Sequence, residues 1–95
     1  MAFNFVKDNK CFSKVIRGTH TVESINAGET KVVTIQISEE IRDDMICVVN
    51  SWEWPLHAEV QAIGNSVNHE GYAILTVINE GGTSVANAKL NYAFI

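Results

Sequence analysis

An antiparallel β-sandwich, jelly-roll or immunoglobulin-like, of about seven to eight strands with a short N-terminal arm is the fold that the sequence predicts. Three observations carry that expectation. Between residues 25 and 95, turns rich in Gly or Asn alternate with runs in which β-branched and polar residues take turns. Helical periodicity is nearly absent, and its best stretch, residues 38–44, is short. The 95 residues suffice for one core, so a single domain is expected at residues 11–95, preceded by an arm or edge strand at residues 1–10.

The elements follow in order. In residues 1–10, Phe3, Phe5 and Val6 alternate only loosely and Asp8-Asn9-Lys10 reads as a turn. Apolar residues on an arm would pack onto another subunit; the alternative is a first strand inside the chain's own sandwich. Residues 11–16 and 19–25 read as two strands, followed by the turn Asn26-Ala27-Gly28-Glu29. Residues 30–38 read as a strand with Val33, Ile35 and Ile37 on one side and Val32, Thr34 and Gln36 on the other. Ser38-Glu39-Glu40-Ile41 offers an N-cap with acids in the first turn, yet Arg42-Asp43-Asp44 stops it, leaving one helical turn or a polar loop. Residues 45–50 are apolar on both faces and predict a central strand, covered by the opposite sheet and by a loop or neighbouring subunit. In residues 56–63, Leu56, Ala58, Val60 and Ala62 are expected inward, and His57, Glu59 and Gln61 outward.

Residues 64–71 form the next turn or hairpin tip, and residues 72–79 the strand after it, with Ala73, Leu75 and Val77 on one face. Asn79-Glu80-Gly81-Gly82 reverses the chain, its paired glycines suited to positive φ. Residues 89–95 close the domain with Leu90, Tyr92 and Phe94 inward.

Composition narrows the function classes. Hydrophobic residues make up 46% of the chain and charged residues 19%, below the roughly 25% typical of globular domains. That leaves neutral surface for contact with other chains. A domain this short buries only about 60–65% of its unfolded surface, so a homo-oligomer is the expected state. The net charge is −4 and the seven Lys and Arg form no stripe, which argues against nucleic acid. Lys7, Lys10, Lys14 and Arg17, with only Asp8 among them, would let the arm lie against an acidic partner; alternatively they are solvated strand ends. No basic segment leads into an apolar leader, and no run approaches the ~18–20 apolar residues of a membrane span, so no membrane partner is expected and assembly belongs in the cytosol. Cys11 and Cys47 lack metal-site spacing. Cys47, within Met45-Ile46-Cys47-Val48-Val49, reads as a buried small hydrophobe. A disulfide between the two stays open, though a reducing compartment disfavours it.

Candidate site residues lie where the strand rhythm breaks. Trp52 and Trp54 are spaced i, i+2 in an extended segment, which points both rings to one side, next to Pro55 and His57. Two such rings make an interface anchor or a sugar-stacking platform; the alternative is that they plug the end of the sandwich. Phe3 and Phe5 would anchor the arm. His20, His57 and His69 stand in three separate segments, none with a second ligand at metal spacing, so no metal and no cofactor is expected. No Gly-x-Ser-x-Gly marks a nucleophile, and no catalytic residue is assigned.

From residue 15 to residue 95 the chain resembles a small β-sandwich module of tailed-bacteriophage virion proteins. The likeness begins at Ile25-Asn26-Ala27-Gly28-Glu29-Thr30 followed by Val33-Thr34-Ile35. It continues through Asp43-Asp44-Met45-Ile46-Cys47-Val48-Val49, the loop at residues 51–55 and Leu56-His57-Ala58-Glu59-Val60. It closes on Leu75-Thr76-Val77-Ile78-Asn79-Glu80-Gly81-Gly82 and Ala88-Lys89-Leu90-Asn91-Tyr92. Asp43-Asp44 departs from the module's usual Gly-Asp, and the loop is more aromatic than its pattern. The resemblance implies a non-enzymatic virion protein, a capsid decoration or auxiliary protein, assembled in the host cytoplasm, commonly as a trimer, and bound to phage capsid or tail proteins. Shortness fits decoration better than a fibre with a shaft. The alternative is a carbohydrate- or receptor-binding module of a tail appendage, with Trp52, Trp54 and His57 lining a glycan site.

Overall fold

The computed structural model describes residues 15–51 and 55–95. Over these the chain is all-β: β1 (Ile16–Val22), β2 (Thr30–Gln36), β3 (Cys47–Ser51), β4 (Leu56–Asn65), β5 (Gly71–Asn79) and β6 (Ala88–Phe94). They form two antiparallel three-stranded sheets, one in the order β1-β6-β3 and the other β2-β5-β4. The pairing is nested: the first strand lies against the last, and the second against the fifth. One core joins the sheets in a sandwich-like arrangement, with Ile16, Leu90 and Phe94 from the first and Ile35, Leu75 and Val77 from the second.

Period-two patterning explains which side each strand buries. Strand β5 alternates fully buried with half-buried positions along its whole length, because it is the centre of its sheet. Leu90 and Phe94 of β6 are fully buried and Tyr92 packs on the same face, edge-on to Phe94 with ring centroids 6.0 Å apart. The Tyr92 ring lies over Gly18 of β1, where a Cβ would stand 2.5 Å from the Tyr92 hydroxyl; a side chain and the ring cannot both fit there.

Two asparagines tie the loops to this frame. Asn79 is fully buried; its Nδ2 donates to the carbonyls of Ile25 (3.0 Å) and Thr83 (2.8 Å), and its Oδ1 accepts from the Gly81 N–H (3.0 Å). Asn65 holds the segment between β2 and β3, accepting from the Ile41 N–H and donating to the Ile41 carbonyl, both at 2.9 Å. That segment is irregular, without a helical turn, and it buries Ile41 and Met45.

Several sequence expectations need correction. The strand count among the described residues is six, because residues 16–22 form one continuous strand and not the ends of two. Residues 11–14 of the expected strand at 11–16, Cys11 among them, lie outside the described residues. The strand expected at the centre of its sheet, β3, is an edge strand paired only with β6. Its outward Val48, and Ile46 just before it, are open to solvent. Ala62 faces outward because Gln61 is the extra residue of a β-bulge between Val60 and Ala62, which shifts the alternation by one and turns Ile63 inward. Strands β4 and β5 run further into the expected turn, leaving a tip in which His69 takes φ +63° and the Ser66 N–H bonds to the Glu70 carbonyl. Positive φ falls at Gly28, His69 and Asn87, not at Gly81 or Gly82; Gly81 is needed because Pro55 Cγ would lie 2.3 Å from a Cβ there.

Cys47 is a half-buried free thiol packed on the core, and burial pushes its pKa above the ordinary value.

Candidate binding surface

The outward face of the β1-β6-β3 sheet gathers residues far apart in sequence. Register sets Arg17, Ala93 and Val48 in one transverse row and Thr19, Asn91 and Asn50 in the next. Since Ile16, Leu90 and Phe94 point into the core, these alternate positions point away from it. Along the second row Thr19 Oγ1 donates to Asn91 Oδ1 and Asn91 Nδ2 donates to Asn50 Oδ1, both at 3.3 Å. Those bonds are long, at the weak end of the useful range.

A third row is apolar. Ile46 and Ile95 exchange backbone hydrogen bonds of 2.8 and 2.9 Å, continuing the β3-β6 ladder beyond its last strand residues, and Val15 precedes Ile16 at the same end of the sheet. Val15, Ile46, Val48 and Ile95 are 39, 57, 47 and 46% exposed. Four exposed aliphatic side chains at one end of one face are a patch, unlike the isolated Val67 at a hairpin tip.

Between the first two rows lies an open concavity of about 400 Å³, lined by residues 17–19 of β1, 48–50 of β3 and 91–93 of β6. No residue of the other sheet lines it, so it sits on the outward face, with the backbone at Gly18, Tyr92 and Val49 as its floor. The outward positions of these three strands carry two cations, Arg17 and Lys89, and no Asp or Glu, in a chain whose net charge is −4.

Of the residues singled out from sequence, Trp52, Trp54, Phe3 and Phe5 lie outside the described residues. His57 is on the outward side of β4, in the other sheet, with Nε2 3.0 Å from Glu59 Oε2. It does not line the concavity. His69 contacts Glu40 (Nδ1 to Oε2, 3.2 Å), and His20 stands opposite Leu90 on β1. Among the described residues no group of three His, Cys, Asp or Glu side chains could hold a metal ion, and no helix is long and apolar enough to cross a membrane. Sequence reading did not single out Thr19, Asn50 or Asn91. Their only signal is being polar at alternate strand positions, and what joins them is register.

No protein-family model, no curated protein and no solved structure matches the chain. Over the described residues the chain is a small all-β, sandwich-like module.

Proposed function

We propose that the chain is a non-enzymatic structural protein of a bacteriophage virion, a capsid decoration or auxiliary protein that self-associates, as a trimer, and binds the virion surface. The observation that carries the contact role is the exposed row of Val15, Ile46 and Ile95 with Val48 beside it. A small domain gains by covering such a patch, at roughly 25 cal/mol per Å² of apolar surface removed from water. The nested strand order supports the jelly-roll form of sandwich over the immunoglobulin-like one, since a rolled antiparallel ribbon pairs first strand with last and second with next to last. The virion assignment rests on the resemblance of the strand and turn order.

The experiment is binding of purified protein to capsids, with particle mass in solution measured alongside. Saturable binding by an oligomer, weakened both by Ile46→Asp and by deletion of residues 1–10, is the expected result. A wild-type chain that stays monomeric and ignores particles removes the proposal. Ile46→Asp without effect removes the apolar row from it.

A further inference from the structure

From the concavity between the Arg17 and Asn91 rows we infer a second activity: it is a binding site for an acidic saccharide, a chain of uronic-acid units. This goes beyond the assembly role, because it draws on Arg17 and on the polar row Thr19-Asn91-Asn50, with Val48 the one residue it shares with the apolar patch. Its volume of about 400 Å³ falls within the roughly 300–1,000 Å³ of small-molecule sites.

Each part of such a sugar meets a matching group. The Arg17 guanidinium is a planar fork suited to a carboxylate, and among the described residues no acidic side chain forms an ion pair with it. Charge complementarity favours an anion at this face, whose strand positions carry cations only. Thr19, Asn91 and Asn50 run across all three strands as one row of donors and acceptors, and their mutual 3.3 Å bonds can be exchanged for bonds to ring hydroxyls. Ala93, next to Arg17 in its row, and Val48 beyond it offer an apolar shelf to the C–H face of a pyranose.

An acidic peptide fits less well. The floor is β6, a central strand paired on one side with β1 and on the other with β3, so it has no free ladder for an incoming backbone. Only side chains are on offer, which suits hydroxyls and a carboxylate.

The test is titration of the folded protein with oligogalacturonate, with a neutral gluco-oligosaccharide and hexaglutamate as comparison ligands, read by ¹H–¹⁵N NMR. Saturable shifts of the Asn50 and Asn91 side-chain amides with oligogalacturonate alone are expected. Arg17→Gln and Asn91→Ala should each weaken binding about tenfold or more, the loss of a charge-assisted and of a neutral side-chain hydrogen bond respectively. Both positions face solvent, and retained amide dispersion confirms that the variants fold. No saturation at millimolar ligand, equal binding of the neutral sugar or of hexaglutamate, or unchanged affinity in both variants overturns the inference. Capsid binding and particle mass do not enter this readout, so it can fail while the assembly role stands, and the reverse.

Discussion

Replacing Asn79 by alanine removes the clamp that ties the β5–β6 loop to the β1–β2 loop. The side chain makes three hydrogen bonds, to Ile25, Thr83 and Gly81, from a position with no solvent exposure. At about 1 kcal/mol net for each bond, the loss is about 3 kcal/mol. For a domain of this size, 1 kcal/mol corresponds to about 4–8 °C of melting temperature, so a fall of roughly 12–24 °C is expected by differential scanning calorimetry. Asn79→Asp sharpens the test, because it keeps the volume and turns the Nδ2 donor into an acceptor facing two carbonyls. Burial and those carbonyls hold the aspartate's folded-state pKa above its unfolded value of about 3.9. Its stability is then greatest below the unfolded pKa and is lost as pH rises through the folded one. Acidification from neutrality should therefore raise the melting point of Asn79→Asp relative to Asn79→Ala. An alanine variant that melts within about 3 °C of wild type, or pH profiles that run parallel in the two variants, would refute the clamp.

Three further outcomes follow from the same geometry. Asn65→Ala should cost about 1–2 kcal/mol in urea denaturation and speed hydrogen exchange at the Ile41 amide, since two hydrogen bonds to Ile41 vanish. Gly28→Ala should cost about 1 kcal/mol and Gly28→Asn less, because φ is +75° while nothing stands within 4 Å of a Cβ, leaving backbone strain as the sole cost. Cys47 should react with iodoacetamide more slowly in the folded protein than in urea at pH 8, since burial raises its pKa and lowers the thiolate fraction. The sign for stability follows: the contribution is present below the ordinary value of 9.0 and is lost as pH climbs through the raised one, which a pH series of melts would show.

Strand identity was legible wherever a single face is buried. The alternation of Ala73, Leu75 and Val77, of Val33, Ile35 and Ile37, and of Leu90, Tyr92 and Phe94 was read correctly, because period-two burial writes itself into residue type. It failed where apolar residues serve something other than the core. The run at residues 45–50 looks central by composition, yet Ile46 and Val48 face water on an edge strand. The bulge at Gln61 was equally hidden: an extra residue is a matter of pairing, and no local signal in Gln61-Ala62-Ile63 announces it. The polar row was out of reach for a third reason. Thr19, Asn50 and Asn91 are separated by 72 residues at the widest and meet only through the registers of two ladders.

The edges of the two sheets decide how such a module would contact other chains. Unpaired edges invite strand addition, and each edge here carries a feature that discourages it. Strand β4 has its bulge at Gln61, and β3 has five residues only. On β2, Lys31 takes a core-side position in phase with Val33 and Ile35, and on β1 the core-side positions include Gly18 and the polar His20. The sheet faces carry the opposite design. Val48 and Ile46 are open on one sheet and Val32, 71% exposed, on the other, where partners could cover them without extending a ladder. Association should accordingly proceed face-on, and a charge at Val48 should disturb it. Val48→Lys separates the two routes: it leaves β3 free to pair along its edge, yet places a second cation in the Arg17 row, on the far side of Ala93, where face-on contact is expected. Particle binding that survives Val48→Lys would remove the outward face of the β1-β6-β3 sheet as the contact surface.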